Sequence, residues 1–499
     1  MSEIQYICLS DLHLGEEDSI LSSMKEDGVD GDPCVPGPVL KELAACIKDL
    51  IGKFCGSTRK PILVLNGDTL ELALCPIHQA TMAFQCFISE LHGDKGFPFD
   101  KIVMVPGNHD HHLWEMTRED QYRDYLQRHP EVVKLPEQWH STKMFAGPDD
   151  NPISHYLTDM IQRPPLKMDM KLEVAYPNYG LITEKTLGRN KDPKKCVVFH
   201  HGHFTEWIYS AMSTVNGWIF EREDMSQYPW DIEKGNFAWI DFAWSALGQS
   251  GPGLETVYEK ALDNREFGQV IANFSAGLAK EVGTRTFDWF EGAVIDKFLS
   301  LIYRGFGGAE KGHSDAPLSP DGLKQLFRYM EGPLHAQIRY EILAIREKKN
   351  ELKDKDDKPD FFKGEVAPPT TFIFGHTHKP YMHHEAFAGY KDGVDVYNSG
   401  GWVVDTLDPN PLHGGSIVLV DDRLNVAAIN MYKETKNNSI SPIEFERLPS
   451  SSPSPVMDEI GRIQFAQENT WRTFSEVVAQ TIPIRRKYLR KRVFSSLRT

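Results

Sequence analysis

Nowhere in the 499 residues does an apolar run approach the roughly 18 to 20 uncharged residues that a bilayer span requires, so no membrane-crossing helix is expected. The start, MSEIQYICLSDLHLG, lacks the basic and apolar segments of a secretion signal, and the chain reads as cytoplasmic. Cysteine is sparse: there are seven, an odd number, none in CxxC spacing, and Cys8 and Cys196 sit inside apolar runs. Buried free thiols suit that pattern better than disulfides or a zinc knuckle. Positive charge is also short, with 55 Lys and Arg against 71 Asp and Glu, a formal net charge of -16. No broad nucleic-acid surface is expected, because phosphate neutralisation needs clustered cations; a local basic patch is compatible. What is present is an ordinary globular balance, 40% hydrophobic and 25% charged, enough for a sizeable core and without any internal repeat.

Five short apolar runs, most of them rich in β-branched residues, stop abruptly at small, polar or histidine residues. They are Ile4 to Leu9 before SDLHLG, Pro61 to Leu65 before NGD, Lys101 to Val105 before PGNHD, Cys196 to Phe199 before HHGH, and Thr371 to Phe374 before GHTH. Each reads as a buried strand whose C-terminal end releases the chain into a loop. Helical spacing of apolar residues over Val39 to Phe54 and Ile77 to Leu91 alternates with the first three runs. The pattern predicts an α/β core with its loops gathered along one sheet edge. Beyond Gly375, DVYNSGGWVV, SIVLVDD and NVAAINMYK follow one another without helices, which predicts an antiparallel second part.

Two long stretches interrupt the core. Residues 110–195 are mixed, with a charged helical piece over Thr117 to Gln127. The stretch from about Phe204 to Pro369 reads as mostly helical, with 3.6-residue periodicity over Phe287 to Ile302, a helix over Ser319 to Met330, and a charged linker over Arg346 to Asp360. Trp207, Trp218, Trp230, Trp239 and Trp244 crowd its first forty residues among Tyr209, Phe220, Tyr228, Phe237 and Phe242, forming either the core of that lobe or a cap over a substrate. LPSSSPSPVM, from Leu448, reads as a flexible linker before a basic helical tail. The boundaries are 1–205 and 365–447 for the core, 206–364 for the insertion and 448–499 for linker and tail.

Asp11 and His13 form a DxH pair with both side chains on one side of the chain. Alone the pair says little. Asp68 in NGD, Asn108 and His109 in GNHD, and His376 and His378 in GHTH repeat the theme, each just past an apolar run. Unconstrained, GNHD should arise in fewer than about one chain in several hundred, and the ordered set is far rarer. The alternative is a set of ordinary polar residues ending strands. Carboxylate, imidazole and amide together suit Mn, Fe or Zn.

These blocks resemble the signature of the calcineurin-like metallophosphoesterases, over roughly residues 1 to 205 and 365 to 435. The resemblance implies a two-sheet β-sandwich flanked by helices, here with a mostly helical insertion, and two divalent metal ions, manganese first among the candidates. Asp11, His13 and His378 would hold one ion, Asn108, His376 and a strand-end histidine the other, and Asp68 would bridge ions roughly 3.5 to 4 Å apart. A water between them would attack phosphorus. His109 would serve the leaving oxygen, oriented by an acid three residues after the bridging aspartate, which here is Glu71. Among His200, His201 and His203, the family's HG pattern favours His201 as ligand. His200 points to the other sheet face, and His203 touches phosphate or only supports the ligands. His111 and His112 are either further substrate-side candidates or ordinary surface or supporting polar residues, and Asn398 is more naturally a turn residue than a phosphate-side one.

The implied activity is hydrolysis of a phosphodiester, pyrophosphate or phosphomonoester bond in a small or lipid-like substrate. SDLHLG, GDTLE and GNHD with an inserted cap resemble the branch containing UDP-diacylglucosamine pyrophosphatases, which are shorter and commonly carry Arg at the position of His109. Alternatives are a nuclease, a protein phosphatase, or a silent binding protein; the Ser/Thr phosphatase pattern GDxVDRG and GNHE is absent. The tail, with Arg485, Arg486, Lys487, Arg490, Lys491, Arg492 and Arg498 among apolar residues, suits an anionic membrane surface or docking on the acidic body of the chain itself.

Overall fold

The computed structural model describes residues 3–203 apart from 25–30, 56–58, 94–95, 148–149 and 184–194, then 229–241, and 370–496 apart from 387–389 and 450–452; between 242 and 369 it describes only Ser245, Leu334, Gln337, Ile338 and Glu341. The described strands are β1 (Ile4–Leu9), β2 (Ser22–Met24), β3 (Gly31–Pro36), β4 (Ile62–Leu65), β5 (Lys101–Met104), β6 (Leu172–Val174), β7 (Asn178–Ile182), β8 (Cys196–His200), β9 (Thr370–Phe374), β10 (Tyr381–Glu385), β11 (Val394–Asn398), β12 (Gly414–Asp421), β13 (Val426–Lys433) and β14 (Glu444–Glu446). The helices are α1 (Pro38–Phe54), α2 (Ile77–His92), α3 (His111–Arg128), α4 (His155–Gln162), α5 (Pro229–Ile240), α6 (Pro455–Ile460) and α7 (Asn469–Ser496).

Two sheets result. One has seven strands in the order β14-β13-β12-β1-β4-β5-β6, the other five in the order β10-β11-β9-β8-β7, and β2 and β3 form a separate ribbon. Alternation along the strands divides the core into layers. In β8, Val197 and Phe199 join Cys8, Val64, Val103 and Ile373 between the sheets. Cys196 and Val198 face the other way, with Phe372, Phe374, Leu334 and Ile338. On the outer face of the large sheet, α1 buries Val39, Leu40, Leu43, Ala44, Ile47 and Leu50, and α2 buries Phe84, Phe87, Ile88 and Leu91. The architecture is the expected α/β sandwich flanked by helices.

β1, β4, β5 and β6 run parallel, as do β8, β9 and β11. The antiparallel block expected past Gly375 divides instead. β10 pairs antiparallel with β11, yet β11 runs parallel to β9, while β12 to β14 cross to the seven-stranded sheet and β12 pairs antiparallel with β1. The closely spaced runs did not reveal this, because their turns do not show which sheet the next strand joins. Of the stretches read in the insertion, the helices over 287–302 and 319–330 and the charged linker over 346–360 lie outside the described residues, as do Trp207, Trp218, Trp244, Tyr209, Phe220, Tyr228 and Phe242. No described helix is long and apolar enough to cross a membrane.

Part of the linker read at Leu448 is structured. Ser454 caps α6 through Met457 N and donates to Asp421, and Val456, Met457 and Ile460 are buried. α7 then packs on α1 through Trp471, Phe474, Val478 and Ile482. Its basic end contacts the body of the chain. Arg486 reaches both carboxylate oxygens of Glu434 at 2.6 Å, Arg492 approaches Asp18 and Glu17, Arg490 pairs with Asp408, and Arg485 donates to the carbonyls of Glu17 and Ser22. Arg498 lies outside the described residues. Trp471 is fully buried and its indole donates to Asp49 at 2.8 Å. Trp471→Ala should therefore remove about 3–5 kcal/mol of stability and lower the urea midpoint; an unchanged midpoint would show that α7 does not stabilise the fold.

Candidate metal centre

Because β1, β4 and β5 are parallel in one sheet and β8 and β9 in the other, five C-terminal strand ends meet along one edge. The loops are tied together through their backbones. Asp11 N donates to Gly67 O and His13 N to Asp68 O, both at 2.9 Å, Gly375 N donates to His201 O at 2.9 Å, and Trp402 N to Asp11 O at 3.0 Å. Asn66 spans the sheets, its amide donating to the carbonyls of His200 and Ile373. Asp110 accepts from Gly107 N, Thr69 N and Leu70 N, which locks the GNHD loop to the NGD loop.

The turns are strained where the chemistry is concentrated. Eight non-glycine residues have positive φ among the described residues, and five of them are Asp11, His13, Asp68, His376 and His378, between 44° and 66°. Each costs on the order of 1–3 kcal/mol and persists only where the surroundings enforce it. The motif glycines follow from close approach. A Cβ on Gly67, itself at φ 89°, would collide with the His201 ring, and one on Gly375 with the Asp11 carboxylate.

Two clusters of donors result. In the first, the Nε2 atoms of His13 and His378 face each other at 3.1 Å, and Asp11 Oδ1 lies 3.6 Å from His378 Nε2. In the second, His201 Nε2 lies 2.9 Å from Asp68 Oδ2, 3.0 Å from Asn108 Oδ1 and 3.2 Å from His376 Nδ1. Asp68 Oδ2 is also 3.9 Å from His13 Nε2, so this carboxylate stands between the clusters. Asp11, Asp68, Asn108, His13 and His201 are all buried. Burial and the nearby Asp68 push the Asp11 carboxyl well above its usual range; for Asp68, burial is outweighed by His201, His109 and His13, which hold it well below. Two imidazole nitrogens facing at 3.1 Å beside carboxylates are a set of converging lone pairs that a divalent cation satisfies, and each triad is compact enough to hold one.

Beside the first cluster, buried Glu71 lies 2.7 Å from His13 Nδ1 and 2.8 Å from His109 Nδ1, and accepts the backbone amides of Ala73 and Leu74. Burial would raise its pKa, but the two histidines pull it down to about 2. For His109, burial disfavours the charged ring, and the carboxylates of Glu71, Asp68 and Glu16 reverse this, lifting the pKa to about 10. Glu71 thus orients His13 as well as His109, a second role that its position in GDTLE did not reveal.

The three strand-end histidines separate cleanly. His201 enters the second cluster. His200 lies flat on Phe374, with ring centroids 5.7 Å apart, and its ring makes no hydrogen bond among the described residues. Burial, reinforced by the neighbouring histidines, drives its pKa down to about 3, so it packs as a neutral ring. His203 is buried with Nε2 3.6 Å from Glu233 Oε1, and His111 is buried with Nε2 3.8 Å from the other oxygen of Glu233, which also accepts from Tyr176 at 2.5 Å. Both rings are thus enclosed beneath Glu233 of α5. Asn398 sits in the turn: its amide donates to Gly375 O and Thr377 Oγ1 and its carbonyl accepts Gly400 N, so it braces the GHTH loop. His112, 36% exposed and 3.1 Å from Asp241, remains on the outside.

Several residues escaped the sequence reading. Ser245 donates to the carbonyl of Asn108, and Asp405 Oδ2 lies 2.7 Å from His378 Nδ1. Neither belongs to a motif. The only signal for Asp405 was its place soon after NSGGW, in a loop returning to the GHTH turn.

Residues 4–240 match the family model of the calcineurin-like phosphoesterases. The match supports a place for this stretch in a family of metal-dependent phosphoester hydrolases, and Gly375 to His378, beyond the matched stretch, return to the same sheet edge. No curated protein matches the chain significantly.

His201→Ala should lower the metal content of purified protein by one ion per chain, whereas His200→Ala should leave it unchanged. Elemental analysis reads both, and the reverse pattern would place the ligand one residue earlier.

Proposed function

We propose that the protein is a dinuclear metal-dependent phosphohydrolase that cleaves a phosphodiester or pyrophosphate bond in a small or lipid-like substrate. The observation that carries this reading is the pair of donor clusters meeting at Asp68, with His109 held beside them by Glu71. Asp11, His13 and His378 would hold one ion, Asn108, His201 and His376 the other, and Asp68 both; Mn²⁺ leads Fe and Zn, since oxygen donors stand beside the imidazoles. When bound, such a pair stabilises charge on phosphoryl oxygens and makes water acidic enough to act as a nucleophile at neutral pH.

The chain's own residues divide the remaining work. Asp68 offsets the repulsion between two cations, and its Oδ1 accepts the His109 amide at 2.9 Å, which fixes that residue relative to the clusters. With Nδ1 committed to Glu71, His109 carries on Nε2 the proton that the leaving oxygen needs. The surrounding carboxylates keep the ring protonated before the reaction. That all seven donors are brought to one edge favours an enzyme over a silent binder, and the net charge of -16 disfavours a nuclease.

The test is turnover of bis-p-nitrophenyl and mono-p-nitrophenyl phosphate with and without Mn²⁺. Asp68→Ala should lose both metal and turnover. His109→Ala should keep its metal and lose roughly 10²- to 10⁴-fold in kcat. Metal-loaded protein that hydrolyses neither ester, or a fully active His109→Ala variant, would refute the reading.

A further inference from the structure

The histidines of the first cluster are held from behind by carboxylates. His13 Nδ1 lies 2.7 Å from Glu71, and His378 Nδ1 lies 2.7 Å from Asp405 Oδ2, which leaves the two Nε2 atoms turned toward each other. In the second cluster, the far nitrogen of His201 lies 3.4 Å from the carbonyl oxygen of Asn66, a longer and uncharged contact. Asp405 is well placed to impose an orientation. Its side chain is 16% exposed, its other oxygen lies 3.0 Å from His413 Nδ1, and its neighbour Val404 donates to Asp18 O. The loop that carries it is joined to the GHTH turn by Gly414 N donating to His378 O and by Gly401 N donating to Gly414 O.

A carboxylate that accepts the Nδ1 proton of an imidazole fixes its tautomer and ring plane and makes Nε2 a stronger donor; a neutral carbonyl does so less. We propose that Asp405 is a positioning residue for the metal centre, holding His378 so that the cluster of Asp11, His13 and His378 binds a divalent ion more tightly than the cluster of Asn108, His201 and His376, Asp68 being shared by both. The proposal rests on the dinuclear reading above and adds a ranking of the sites, together with the residue that sets it.

Full-length protein stripped by chelation and titrated calorimetrically with Mn²⁺ should bind in two unequal steps. His376→Ala should abolish the weaker step and retain the tighter. Asp405→Asn should weaken the tighter step by roughly 10- to 100-fold and leave the weaker one unchanged, and Asp405→Glu should recover part of the loss. General loosening of the fold would move both steps together and would not be rescued by glutamate. Two equal steps in the wild-type protein, which needs no variant to fold, would overturn the proposal, as would a tight step of undiminished affinity in Asp405→Asn. Either result leaves the dinuclear reading standing, whereas wild-type protein that binds no Mn²⁺ would remove that reading and this proposal together.

Discussion

Asp68 occupies the point where two groups of buried imidazoles meet, and its two oxygens serve different masters: one lies 2.9 Å from His201, the other accepts the amide of His109. A carboxylate so deeply buried would ordinarily be costly. Here positive or metal-binding partners on three sides reverse that cost, so the loops carrying those partners have to converge on one point. The parallel strands deliver them, the strained turns at Asp11, His13, His376 and His378 aim them, and the glycines of NGD and GHTH let the backbones approach.

Holding so many strained, buried polar groups together requires a stiff surround, and the fold provides one in three ways. Asn66 ties the two sheets at the edge, Asp110 ties two catalytic loops, and the layer of α1, α2 and α7 covers the outer face of the large sheet. On the other side of the site, α5 places Glu233 against His203, His111 and Tyr176. α5 thus supports the loops that carry the donor clusters.

Much of the edge was legible because strand ends announce themselves: a buried apolar run followed by Asp, Asn or His leaves little freedom in where the side chain goes. Strand alternation also separated His200 from His201, and the structure puts them on opposite faces. Less legible was anything that depends on a contact between loops remote in sequence. Asp405 behind His378, Ser245 behind Asn108 and Glu233 over His203 are each separated from their partners by stretches whose patterning does not show which loops meet. The assignment of β12 to β14 to the larger sheet was hidden for the same reason. Likewise the fate of the basic tail is decided by Glu434, Asp408 and Asp18, which are acids of unremarkable sequence context.

The central claim is that one edge of the sandwich holds two divalent ions sharing Asp68. Anomalous scattering from crystals grown with Mn²⁺ tests it most directly. The account predicts two adjacent peaks, one among Asp11, His13 and His378 and one among Asn108, His201 and His376, with density from Asp68 reaching both. A single peak, or peaks that leave Asp68 uncoordinated, would contradict it.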